Sequence, residues 1–253
     1  MLRIVQIIFA FFLIAVTACK KETDTASLSD TALNPSNVNA NSFLASSTFD
    51  KLIVEVQYVN GSEPSAATIT NVTSFLQSLL NKPAGITVTQ KAVASPGKSA
   101  YTFADITTHE SQNRTQLTKD KTLTAYVFFA DGDYAETVNS NSKVLGIAYG
   151  KGSIAIFEKT IKSLSGGLTQ PPSSVLETTV LEHEFGHVFG LVNNGTAMQA
   201  GHEDTPHGHH CTSSRCLMYY QAETSDIVAN LTGGAVPSLD PNCNNDLKAN
   251  GGK

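Results

Sequence analysis

Residues 180–193 read Val-Leu-Glu-His-Glu-Phe-Gly-His-Val-Phe-Gly-Leu-Val-Asn. His183 and His187 are four apart, Glu184 follows the first, and Gly190 follows the second by three. On a helix, residues four apart lie one turn apart on the same face. The spacing therefore aims both imidazoles at one point, as two corners of a tetrahedral zinc site require. Glu184 stands about 100 degrees further round such a helix. From there its carboxylate reaches a zinc-bound water without ligating the metal. Zinc lowers the pKa of that water to about 7, and the carboxylate can take its proton as the water attacks a carbonyl. Gly190 supplies the positive φ with which a helix stops and the chain turns sharply. Two ligands and a general base are thus in place, and a third protein ligand has to be found elsewhere.

Working outward, Pro171-Pro172 opens the helix that carries this stretch, from about Ser174 through Phe189. Lys51 to Val59 reads as a strand, with apolar and polar residues largely alternating after Ile53 and Asn60-Gly61 ending it. Between Glu63 and Asn81, Ile69, Val72, Phe75, Leu76, Leu79 and Leu80 recur at three and four. That predicts an amphipathic helix stopping at Lys82-Pro83. Ile86 to Ala94 alternates again as a strand. Thr122 to Ala130, the most β-prone run, reads as a central buried strand. A weaker helical pattern covers 103–117. Asp131-Gly132-Asp133 reads as a turn, because the further acidic residues of an EF-hand are missing. Val144 to Tyr149 and Ser153 to Glu158 read as short strands across Gly150-Lys151-Gly152. Beyond Gly190 the chain is rich in Gly, Asn, His and Pro and shows little periodicity.

The chain has 253 residues, 41% of them hydrophobic, and a formal net charge of -5. That is enough for a core in one domain with appendages, and the weak acidity and absence of a basic run argue against nucleic acid as the main partner. Residues 1–18 carry Met1-Leu2-Arg3, an apolar run from Ile4 to Val16, and small residues before Cys19. This is a secretory signal, too short to span comfortably as a permanent helix. Val16 to Cys19 resembles a bacterial lipobox, which implies cleavage before Cys19 and lipid on its thiol. Lys20 to Asp24 resembles the charged tags of surface-exposed lipoproteins. Residues 19–48, rich in Ser, Thr, Asn, Ala and Asp, read as a flexible tether, with the ordered domain at 49–253. The expected location is the bacterial outer membrane, at its periplasmic face or the cell surface. Cys211, Cys216 and Cys243 remain in the mature body, where an oxidising compartment permits one disulfide among them.

The pattern His-Glu-x-x-His-x-x-Gly over 183–190 resembles the metzincin clan of zinc metalloproteases. In that clan the glycine turn delivers a third ligand three residues on. Here that residue is Asn193, whose carboxamide oxygen is a weak zinc ligand beside an imidazole. Further along, His210-Cys211, Cys216 and Met218 are spaced as in the archaemetzincin branch. The resemblance implies His210 as the third ligand and Met218 as the apolar floor beneath the imidazoles. His202, His207, His209 and Asn193 remain the alternatives to His210. The chain departs from that branch by an insertion of about 17 residues before His210 and by having too few cysteines for the branch's all-cysteine second zinc site. A disulfide from Cys211 to Cys216, or from either to Cys243, is the expected replacement.

The same resemblance implies an α+β fold: a twisted, mostly parallel sheet with an antiparallel edge strand and an active-site helix (49–190), then a small irregular subdomain (191–253). Ser153 to Glu158 is in place to be the edge strand that lines the cleft and pairs with an extended peptide. Glu158 reads equally as a solvated edge charge. The expected activity is zinc-dependent hydrolysis of peptide bonds by a lipid-tethered monomer, with His183, His187 and His210 on the metal and Glu184 as base. Two other classes stand beside it: a non-catalytic, zinc-stabilised surface binding or adhesion module, and a metal-scavenging lipoprotein. The presence of Glu184 argues against the first, and the helix–glycine geometry against the second.

Overall fold

The computed structural model describes residues 28–33, 35–136, 142–231 and 234–253. The signal segment and Cys19 lie outside these. In order, the elements are α1 (Asp30–Leu33), α2 (Ala40–Leu44), β1 (Lys51–Val59), α3 (Ala66–Leu79), β2 (Ile86–Val93), β3 (Ala100–Tyr101), α4 (Phe103–Asn113) and β4 (Thr122–Ala130). There follow β5 (Asp133–Tyr134), β6 (Gly146–Tyr149), β7 (Ser153–Phe157), α5 (Glu158–Ser163), α6 (Ser173–Val188) and α7 (Pro241–Ala249). No helix among the described residues is long and apolar enough to cross a membrane.

Five strands form one sheet in the order β2-β1-β4-β7-β6, the first four parallel and β6 antiparallel to β7. Strand β4 sits at its centre because it is apolar on both faces. Leu123, Ala125, Val127 and Phe129 point into the larger core, shared with α3 and α6. Tyr126, Phe128 and Ala130 point into a second core with Tyr101 and Ile106. Period-two alternation thus feeds two layers at once, as a strand covered by helices on both faces requires.

Three expectations need correction here. The edge strand is β6, not Ser153 to Glu158: β7 is buried along its whole length and paired on both sides, by β4 and β6. Glu158 accordingly is no edge charge. It is wholly buried at the start of α5, where burial first and the Glu177 carboxylate next push its pKa to about 9. The stretch expected to complete the tether is also partly built into the domain. Val38, Phe43, Leu44 and Phe49 are buried in the main core. The Lys82 ammonium donates to the carbonyls of Ser42 (2.7 Å), Phe49 (2.8 Å) and Ala45, which pins the segment from 40 to 49.

Candidate metal centre and cleft

Helix α6 is enclosed by the fold, every residue from Leu176 to Gly186 being buried. A buried polar group needs a partner, and most on this helix have one. The Ser65 amide donates to Glu177 Oε1 (2.8 Å), Thr178 shares a bond with Thr68 (3.1 Å), and Thr179 donates to the Val175 carbonyl (2.8 Å). Glu184 does not: neither carboxylate oxygen makes a hydrogen bond of good geometry, and the Ala148 amide is its one backbone donor nearby. Burial first, then the Glu223 charge, push its pKa well above the carboxylate range, while the Ala148 amide pulls it down. Room for it comes from Gly146 on β6, where a Cβ would stand 3.0 Å from Glu184 Oε1.

The helix ends on a Schellman motif. Gly190 takes φ +71°, its amide donates to the His187 carbonyl, and the Leu191 amide donates to the Gly186 carbonyl, both at 3.0 Å. A Cβ at Gly190 would also lie 2.7 Å from the Thr196 amide nitrogen, so no other residue fits. Val192 and Asn193 then continue in the left-handed region, at φ 51° and 64°. They carry the chain away from the helix, and the Asn193 amide group donates to Glu203 instead (3.0 Å).

His183, His187, His210 and Glu223 each offer a ligand atom, all within 4.8 Å of one another. A carbonyl only accepts, so the contacts of His183 Nδ1 to the Leu217 oxygen (2.7 Å) and of His210 Nδ1 to the His207 oxygen (2.9 Å) are N–H donations. In the neutral ring that leaves Nε2 as the lone pair. Against burial, which lowers it, the Glu223 carboxylate and the His207 and Gly208 carbonyls raise the pKa of His210. His183 Nε2 stands 3.1 Å from His187 Nε2, and His210 Nε2 has no hydrogen bond. Burial lowers the pKa of His183 to about 4. That of His187 is pushed well below its usual value, by burial first and then by His183. At neutral pH these rings are uncharged, the state in which imidazole binds a metal. Nitrogens at 2.0–2.1 Å from a tetrahedral zinc stand about 3.3–3.4 Å apart, so the donor set fits that ion.

Met218 lies under the helix between the two ring-bearing turns. A Cβ on Gly186 would stand 2.1 Å from its sulfur, so the glycine within the motif is the notch that admits the thioether. The other candidates are elsewhere. His207 stacks on Tyr220 at 3.7 Å and bonds Asp204, and His209 is exposed. Glu223 was not singled out from the sequence, and nothing in Gln221-Ala222-Glu223 marks it there.

His202 belongs to a second cluster, which overturns the expected disulfide. Cys211, Cys216 and Cys243 are all free thiols. The Cys216 and Cys243 sulfurs are 3.6 Å apart, against about 2.05 Å for a disulfide. The spacing instead suits two thiolates on one tetrahedral zinc, about 3.8 Å apart for Zn–S of 2.3 Å. Ligand atoms of His202, Cys211, Asp240 and Cys243 fall within 4.8 Å of one another, with Cys216 beside Cys243. His202 Nε2 bonds Asp246 at 2.8 Å, which turns Nδ1 toward Cys243 Sγ at 4.0 Å. That is a carboxylate–histidine arrangement of the kind that orients metal ligands. Hydrogen bonds from Cys211 and Cys243 foremost, and from the Met218 and Asp240 amides, hold the Cys216 thiol down at about 4.

Above the imidazoles opens a cleft of about 780 Å³, lined by β6 and the turn after it, by Ser36 and Val38 to Asn41, and by His209. Strand β6 is the outermost strand of the sheet and forms one wall. No family model matches the chain, and no curated protein does. Among solved structures, an archaemetzincin from Methanopyrus kandleri is similar over 81% of this chain and 96% of its own, at 14% identity and a TM-score of 0.49.

Proposed function

We propose that the chain is a zinc metallopeptidase. The observation that carries the reading is Glu184: a wholly buried carboxylate with no hydrogen bond of good geometry, on the same helix as two neutral imidazoles that converge with a third. A fold tolerates such a group when chemistry uses it. His183, His187 and His210 would hold the ion, which when bound supplies the Lewis acidity that activates water and polarises a carbonyl. Glu184 takes the proton of the attacking water and returns it to the leaving amine. Strand β6 offers its outer edge to an extended peptide, so the backbone rather than the side chains dominates substrate binding. We also propose, from the sequence alone, that the protein is exported and lipid-anchored through Cys19.

The second cluster is proposed as a structural centre. The His202 imidazole, the Cys211 and Cys243 thiols and the Asp240 carboxylate form a donor set suited to zinc, with Cys216 beside Cys243 and Asp246 orienting the ring.

The test is a zinc titration paired with proteolysis of an unfolded protein. The chain from residue 20 onward should bind two zinc ions and cleave. Glu184→Gln should keep both ions and lose cleavage, and Cys243→Ser should bind one. Equal cleavage by wild type and Glu184→Gln would sink the enzymatic reading; one ion in both wild type and Cys243→Ser would sink the second centre.

A further inference from the structure

We infer that Glu223 is a fourth protein ligand of the imidazole centre, holding the corner that water or a substrate carbonyl must take. The inference rests on the reading of the three imidazoles as metal ligands. Glu223 ends the 3-10 turn Tyr220–Glu223, five residues past Met218. Its backbone is pinned to the stretch that enters β6. The Leu145 amide donates to the Glu223 carbonyl and the Ser225 amide to the Lys143 carbonyl, both at 2.8 Å, and Val144 bridges Thr224. The carboxylate therefore starts from a fixed root beside the cleft rather than from a free loop.

Its reach is that of a ligand. Glu223 Oε2 stands 3.7 Å from His210 Nε2 and 3.9 Å from His187 Nε2. These exceed a hydrogen bond, yet they lie within about half an ångström of the tetrahedral edge for zinc with nitrogen and oxygen donors. The two carboxylates near the centre divide the work. Glu184 lies against β6 and outside the set of converging donors, whereas Glu223 belongs to that set. A catalytic zinc ordinarily keeps one corner open. Here the fourth corner is filled from the chain itself, by a side chain that is about a third exposed and faces the cleft. Glu223 can withdraw toward solvent without disturbing the core. Ligand entry then becomes an exchange of one oxygen donor for another: the bond from Glu223 to the metal breaks as the bond from water or a substrate carbonyl forms.

The experiment measures Co(II) and Zn(II) affinity of the full mature chain by chelator competition, with the visible Co(II) spectrum and acetohydroxamate binding as further readouts. Glu223→Gln should weaken metal binding roughly 10- to 100-fold, change the Co(II) spectrum, and tighten acetohydroxamate several-fold because the corner no longer competes. Glu223→Asp, charged but one carbon shorter, should also weaken metal binding. If the Gln variant misfolds, the Asp variant decides alone. The urea midpoint of the metal-free Gln variant should stay at the wild-type value; a shift there with unchanged metal affinity would mark a merely structural residue. Unchanged affinity and spectrum in both variants would overturn the assignment. Weaker metal with unaltered acetohydroxamate would overturn the exchange. His183→Ala in the same titration keeps the two readings apart: wild-type affinity in that variant would refute the imidazole centre itself.

Discussion

Replacing Gly186 by Ala sets two physical effects against each other. Gly186 lies inside α6 and is buried. In a helix interior alanine is more favourable than glycine by about 1 kcal/mol, so propensity alone predicts stabilisation. The structure predicts the reverse. The new Cβ would stand 2.1 Å from Met218 Sδ and 3.0 Å from its Cε, where non-bonded carbon contacts settle near 3.5–4.0 Å. Met218 has little freedom to retreat: it is fully buried, its carbonyl accepts from the Cys211 amide at 2.7 Å, and its own amide contacts Cys216 Sγ. Overpacking of this kind costs about 1–3 kcal/mol, and so deep an overlap belongs at the upper end. The net expectation is destabilisation by about 2 kcal/mol, or a Tm lower by roughly 4–8 °C for a domain of this size. The assay is urea unfolding of Gly186→Ala, Met218→Ala and the double variant. Met218→Ala alone should cost about 2–5 kcal/mol through its cavity. In its background the Gly186→Ala methyl meets empty space and should stabilise, giving a coupling of up to about 3 kcal/mol. A stabilised single variant, or additive effects, would show that the thioether does not lie in the Gly186 notch.

Two further outcomes concern stability. Lys82→Met removes the ammonium that three carbonyls of the N-terminal segment accept from; the loss should be about 2–4 kcal/mol, with limited proteolysis cutting first between residues 35 and 48. Wild-type stability and protection there would contradict the packing of that segment. His109 is buried on the Phe128 ring (centroids 4.0 Å), and burial lowers its pKa from 6.5 to about 4. The unfolded chain then binds the extra proton first as pH falls. The contribution is complete above pH 6.5, is lost progressively between pH 6.5 and 4, and is on the order of 3 kcal/mol. Unfolding free energies across that range should decline less steeply in His109→Phe, and parallel curves would refute the assignment.

The parts of the fold set by local periodicity were legible. The strand patterns of 51–59 and 122–130 and the helical repeat from Ile69 to Leu79 correspond to β1, β4 and α3. What escaped depends on contacts distant in sequence. The apolar residues Val38, Phe43 and Leu44 are too sparse among Ser and Asn to declare themselves, yet the Phe43 ring fills the space beneath Gly152, where a Cβ would stand 2.5 Å from it. Which of two short apolar runs forms the edge was decided by β4, which accepts β7 as its neighbour and leaves β6 outside. The three histidines of the inserted loop and His210 beyond it have the same chemistry in one dimension. They are sorted only by the hairpin-like arm that bridges Glu203 to Cys211, which puts His202 and His210 into different clusters.

That arm and the segment after it also tie the two clusters together. Successive side chains of an extended chain point to opposite faces, so His210 faces the imidazole centre while Cys211 faces the thiols. The next contact repeats the division over three residues: Cys216 joins the thiols, the Leu217 carbonyl accepts from His183 Nδ1, and Met218 fills the notch under the helix. The Cys211 amide donates to the Met218 carbonyl and locks the two stretches side by side. His210, the tautomer of His183 and the apolar floor are therefore each within two residues of a group in the thiol cluster. A chain unable to gather Cys211, Cys216 and Cys243 is expected to disturb His210 and Met218 through this shared backbone, without any change to the helix that carries Glu184.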